Sequence, residues 1–253
     1  MKRFLAGLLA GISAGMVLTT AAYASDDPVA RMLDQTASVA QRNDACYALR
    51  GNRSPEVVAA LRKGMADSVV RTCAARDLRL AGALEALLDE AGSDYADVKL
   101  VAARELGEMR DPRALEALGR AALDSNVLVA SAAIDALAVY GESQALPLLL
   151  AAAQQPGVAG VTALERAAAF RNRTVLPAAR QMLAKGDAAS QVIALGVIGD
   201  LGDVSDLPKL REMAAKSEPM ASRGRGFGFM PVIDLARVAQ NAATAIEKRP
   251  GME

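Results

Sequence analysis

The chain has 253 residues, with 29 lysines and arginines set against 29 aspartates and glutamates, and it contains no histidine. That balance leaves no electrostatic case for nucleic acid, which needs a clustered basic footprint, and the missing histidine removes the commonest general base and metal ligand. Hydrophobic residues make up 52% of the chain but aromatics only 3%, with no Trp, so a core of Ala, Leu and Val in many close helix–helix contacts is expected, and an all-α fold is predicted.

The first segment reads Met1-Lys2-Arg3, an uncharged apolar run from Phe4 to Thr20, then Ala22-Tyr23-Ala24 before Ser25. A positive start, an apolar middle and a small-x-small end spell a secretory signal over 1–24, cut to leave Ser25 first. No Cys follows the small residues, which argues against a lipid anchor. An uncleaved anchor helix is the alternative, although the run holds several Gly, Ser and Thr and is short for a span of about 20 residues. A periplasmic or secreted location is expected, with no membrane contact after cleavage. Loss of Lys2 and Arg3 would leave 27 basic against 29 acidic residues, a net of −2. Residues 25–43 read as an N-terminal capping helix, with Asp26-Asp27-Pro28 as its start signal.

Over 44–216 one phrase returns. Ala102-Ala103-Arg104-Glu105-Leu106 is followed by Asp111-Pro112-Arg113-Ala114-Leu115, and similar copies lead to Leu146, Leu176 and Leu207. The four leucines are 31, 30 and 31 residues apart, a period that marks stacked repeats. In the first helix of each unit apolar residues recur at 103/106/109, 134/137/140, 164/167/170 and 195/198/201. In the second helix the stripe Leu115/Leu118/Ala122 recurs as Leu146/Leu149/Ala153, Leu176/Ala179/Leu183 and Leu207/Leu210/Ala214. Each helix is thus predicted to bury one face, and segments such as Gly141-Glu142-Ser143 separate the two.

Val70-Arg71, with Ala74-Ala75 and Leu78 behind it, resembles the first helix of HEAT-like repeats of the bilin-lyase type, and Ala145-Leu146-Pro147-Leu148-Leu149 is similar to the second. The resemblance covers roughly residues 44 to 215 in about six units and implies an α-solenoid of stacked helix-turn-helix repeats. It leaves function open, since such proteins include pigment-attaching enzymes, regulators and plain scaffolds. Asp77 and Leu80-Ala81-Gly82 depart from the pattern and predict a shortened turn.

Cys46 and Cys73 fall in the first helices of adjacent units. In an oxidising compartment such a pair is expected to form a disulfide; two buried free thiols are the alternative. On the second helices, expected to line the concave face, the outward columns read Asp89, Arg120, Ala151, Gln181, Glu212 and Leu88, Gly119, Leu150, Arg180, Arg211. Mixed signs there suit a protein or peptide partner better than a polyanion. Glu85, Glu105, Glu116 and Glu165 sit on different repeats, as a repeated solvent position would, and do not form an acid/base pair.

Residues 217–230 break the repeat and place Arg223, Arg225, Phe227 and Phe229 among glycines. They form either a second partner contact or a cap folded onto the last repeat; one Gly-Arg-Gly copy is thin evidence for RNA. Residues 231–253 read as a C-terminal capping helix and tail, with Ile233, Ala236, Val238 and Ile246 packing inward. The expected function is a non-catalytic scaffold without cofactor or metal. A lyase-like or chaperone-like role in chromophore attachment, or a membrane-tethered assembly factor, are the alternatives.

Overall fold

A computed structural model of the protein describes residues 27–216 and 233–249. The apolar stripes fold as α1 (Pro28–Leu33), α2 (Val39–Ala48), α3 (Pro55–Met65), α4 (Arg71–Leu80), α5 (Leu84–Ala91), α6 (Ala96–Met109) and α7 (Leu115–Ala121). They continue as α8 (Val127–Leu137), α9 (Glu142–Ala152), α10 (Gly157–Ala168), α11 (Leu176–Lys185), α12 (Ala188–Leu201), α13 (Leu207–Ala215) and α14 (Leu235–Glu247). Short 3-10 turns at Pro112–Ala114, Arg173–Val175 and Val204–Asp206 lead into α7, α11 and α13. Starts are marked chemically: the side chains of Asp27, Ser38, Ser54, Asn126, Asp187 and Asp234 each accept a backbone N–H of the first turn, satisfying donors that the helix itself leaves orphaned.

Consecutive helices stack in pairs, most closely α1/α2, α3/α4, α5/α6, α7/α8, α9/α10, α11/α12 and α13/α14, with α14 packed on α12 as well at the far end. The stripe positions are where the sequence puts them. Ala103, Leu106, Ile134, Leu137, Leu164, Ala167, Leu195 and Ile198 from the first helices, and Leu118, Leu149, Ala179 and Leu210 from the second, are buried in one continuous core. The predicted tight turn after α4 is there as well, with Gly82 at φ +73°, a left-handed conformation that glycine adopts at little cost.

Two expectations need correction. α2 runs from Val39 to Ala48, through the 43/44 boundary. Ile233, ahead of α14, is exposed, and the inward stripe of that helix is Ala239, Ala242, Ala243 and Ile246. Three alanines pack there because α14 lies close against α12, where a Cβ on Gly199 would come within 3.2 Å of Ala242 Cβ. The two layers also pack differently. The first helices α4, α6, α8, α10, α12 and α14 pack directly on one another along the whole row, whereas contact between successive second helices is sparse. At Gly107 a Cβ would approach Ala136 Cβ to 2.7 Å, so α6 and α8 nearly touch backbone to backbone. The first helices thus form the more closely packed layer of the stack, and the second helices the looser one.

Candidate binding face

Arg120, Arg180 and Arg211, expected to bind a partner, lie on the second-helix layer and already hold internal partners. Arg120 pairs with Glu116 one turn back on α7. Arg180 on α11 donates to both carboxylate oxygens of Asp206, at 2.7 and 3.0 Å, and lines a cleft of about 400 Å³ with Leu183, Lys209 and Leu210. Arg211 reaches Glu247 of α14 at 2.7 Å. Further along the same columns Asp89 pairs with Arg62, and Glu212 accepts from Lys216 and Lys209, which pull its carboxyl down to about 2. Arg223, Arg225, Phe227 and Phe229, and the 1–24 signal, lie outside the described residues.

The face of the first helices is chemically different. Its exposed and half-buried positions repeat at i, i+3, i+7 and i+11 on or just past α6, α8, α10 and α12, the spacing of one helical stripe. The first row across the four helices is Asp97, Leu128, Val158 and Ala189. The second is Leu100, Ser131, Val161 and Val192. The third is Arg104, Asp135, Glu165 and Gly196, and the fourth Glu108, Val139, Ala169 and Asp200. The first row is apolar from α8 to α12, the second is apolar except for Ser131, and the third carries mixed charge. Leu128 and Val158 are 64% and 65% exposed, which is costly for large aliphatic side chains left without a partner. Between α6 and α8 a groove of about 440 Å³ runs past Leu100, Arg104, Leu128, Ser131, Asp135 and Val139. Reading the columns of the first helices as well as the second would have found this surface.

Ion pairs one repeat apart stiffen the scaffold behind it. Arg42, Arg71 and Lys99 occupy one repeat position and reach Asp67, Asp97 and Asp124. The Arg42 hydrogen bond holds the Asp67 carboxyl below its ordinary range against the opposing effect of burial. In the next two units the position is filled by Ala130 and Gly160, so the ladder stops where the apolar rows begin.

At the N-terminal end Cys46 of α2 and Cys73 of α4 are joined by a disulfide, with Cα atoms 6.4 Å apart. Their sulfurs and a carboxylate oxygen of Asp77 lie within 4.8 Å of one another, all buried. Arg76 covers the cluster with its guanidinium 4.7 Å from the centre of the Tyr47 ring. The bridge occupies both thiols, so as it stands this group offers one carboxylate and no thiolate to a metal.

Short helical hairpins stacked through one continuous core define an α-solenoid. Residues 84–169, which span α5 to α10, match the family model of HEAT repeats. No curated protein matches the chain. Among solved structures, the complex of CpcE and CpcF of phycocyanin lyase from Nostoc sp. PCC7120 is similar at 19% identity and a TM-score of 0.42, over 87% of this chain and 93% of that one.

Proposed function

We propose that the protein is an exported, non-catalytic HEAT-repeat scaffold that holds a protein or peptide segment along the face of its first helices. The observation that carries this reading is the apolar row through Leu128 and Val158, with Leu100 and Val161 beside it, bordered by the charged row Arg104, Asp135 and Glu165 and mounted on closely packed helices. An amphipathic segment laid across α6, α8 and α10 would bury the aliphatic side chains and set its polar edge against Arg104, Asp135 and Glu165. Export is supported by the signal-like start and by the Cys46–Cys73 bridge, a link that persists in oxidising compartments. The 217–230 segment is proposed as a second contact on its sequence alone.

Capture from an envelope extract on the immobilised mature chain tests this. The double variant Leu128→Asp, Val158→Asp is expected to lose the captured protein while keeping its melting temperature, since both positions are solvent-facing. Full capture by that variant, with loss on replacing Arg120, Arg180 and Arg211 by Ala, would move the interface to the second-helix layer. Mass spectrometry of the secreted protein should show Ser25 as its first residue.

A further inference from the structure

Asp77 is fully buried in α4, at the repeat position filled by Glu105 on α6, Ala136 on α8, Arg166 on α10 and Val197 on α12; Glu105 and Arg166 are held in ion pairs with Arg79 and Asp135. An acid in that interior place calls for a hydrogen-bond account of both its oxygens. Oδ1 accepts from Arg76 Nε at 3.1 Å. Oδ2 faces the two sulfurs, Cys73 Sγ at 3.5 Å and Cys46 Sγ at 3.9 Å. Those are donor distances for a thiol, but bridged sulfurs carry no hydrogen. Among the described residues no other donor reaches Oδ2. With the bridge closed, an ionised Asp77 would therefore aim a bare lone pair at two more. Opening the bridge would place S–H donors on the same oxygen.

We propose that Asp77 is the proton carrier of the Cys46–Cys73 couple: its carboxyl holds a proton while the bridge is closed and releases it when the bridge is reduced. Burial pushes the Asp77 carboxyl above its ordinary value, against the pull of Arg76, Arg50 and Arg79. Of the other groups around it, Tyr47 of α2 lies under Arg76, and Glu105 of α6 is held by Arg79 at 2.6 Å. With a small dithiol as reductant, the sulfur–sulfur bond of the protein breaks and that of the reagent forms. Two electrons and two protons pass from the reagent to Cys46 and Cys73, and the proton of Asp77 leaves to water. One proton is thus released per bridge opened, and acid holds the bridge closed.

The test is equilibration of the mature protein with a dithiol/disulfide couple between about pH 4 and pH 7.5, below the ionisation of ordinary thiols. The fraction bridged is read by alkylation and mass. Where Asp77 carries a proton in the bridged form alone, the equilibrium constant for reduction should rise tenfold per pH unit, and in Asp77→Asn it should stay flat. Infrared difference spectra of the wild-type protein, bridged minus reduced, should show a protonated carboxyl band in that window. This reading stands even if Asp77→Asn fails to fold. A pH-independent equilibrium in the wild type, or no such band, would overturn the proposal.

Discussion

At the scale of single residues, side-chain hydroxyls and carboxylates tie neighbouring repeats together where apolar packing alone would let them slide. Tyr140, just past α8, is 5% exposed, and its hydroxyl donates to Leu106 O at 3.0 Å with Asp111 O at 3.2 Å. It thereby ties down the end of α6 and the entry to α7 one repeat earlier. Burial, with the nearby Asp111 charge adding to it, pushes the phenol up to about 12. Tyr140→Phe keeps the ring and removes the donor, so it should cost about 1–2 kcal/mol in urea unfolding with an unchanged m-value, the usual effect of stripping a partner from buried acceptors. No change in stability would mean that water already serves both carbonyls. The stripe 134/137/140 marked Tyr140 as inward-facing from spacing alone. Its hydrogen bonds were not legible, because they reach backbone that only the stacking of repeats brings within range.

At the scale of elements, helix spacing is set by what the closest positions can tolerate. Gly107 and Gly196 are both glycines inside first helices, and helix propensity favours alanine over glycine by about 0.5–1 kcal/mol at either. Their surroundings differ. A Cβ at Gly107 would lie 2.9 Å from Ala136 Cα, whereas at Gly196 nothing comes within 4 Å. Gly107→Ala should therefore destabilise by about 1–3 kcal/mol through forced separation of α6 and α8. Gly196→Ala should stabilise by up to about 1 kcal/mol. Thermal melts of the two variants check this directly. Changes of the same sign would mean that the contact of Gly107 with Ala136 does not set the spacing of α6 and α8.

At the scale of the whole molecule, a thirty-residue period dictates the architecture, because no hairpin can bury its apolar face without the next. That is why the helices, the stripes and the end caps could be read in the sequence: each depends on spacing within one repeat. The close approach of α6 and α8 could not, since it rests on contacts such as Gly107 with Ala136 between repeats. Arg120, Arg180 and Arg211 were legible as outward second-helix positions, but their partners Glu116, Asp206 and Glu247 were not. The row through Leu128 and Val158 obeys the same periodicity and shows only when first-helix columns are compared as well as second-helix ones. The adjacency of Cys46 and Cys73 was visible from their places in consecutive first helices, but the approach of Asp77 to the bridge was not. Hydroxyl-radical footprinting of the mature protein, alone and with its captured partner, addresses the central claim most directly. Leu128, Val139 and Val158 should lose reactivity on binding, while Leu150 and Pro147 on the second helix α9 keep theirs; protection of α9 with Leu128 and Val158 still reactive would contradict binding on the face of the first helices.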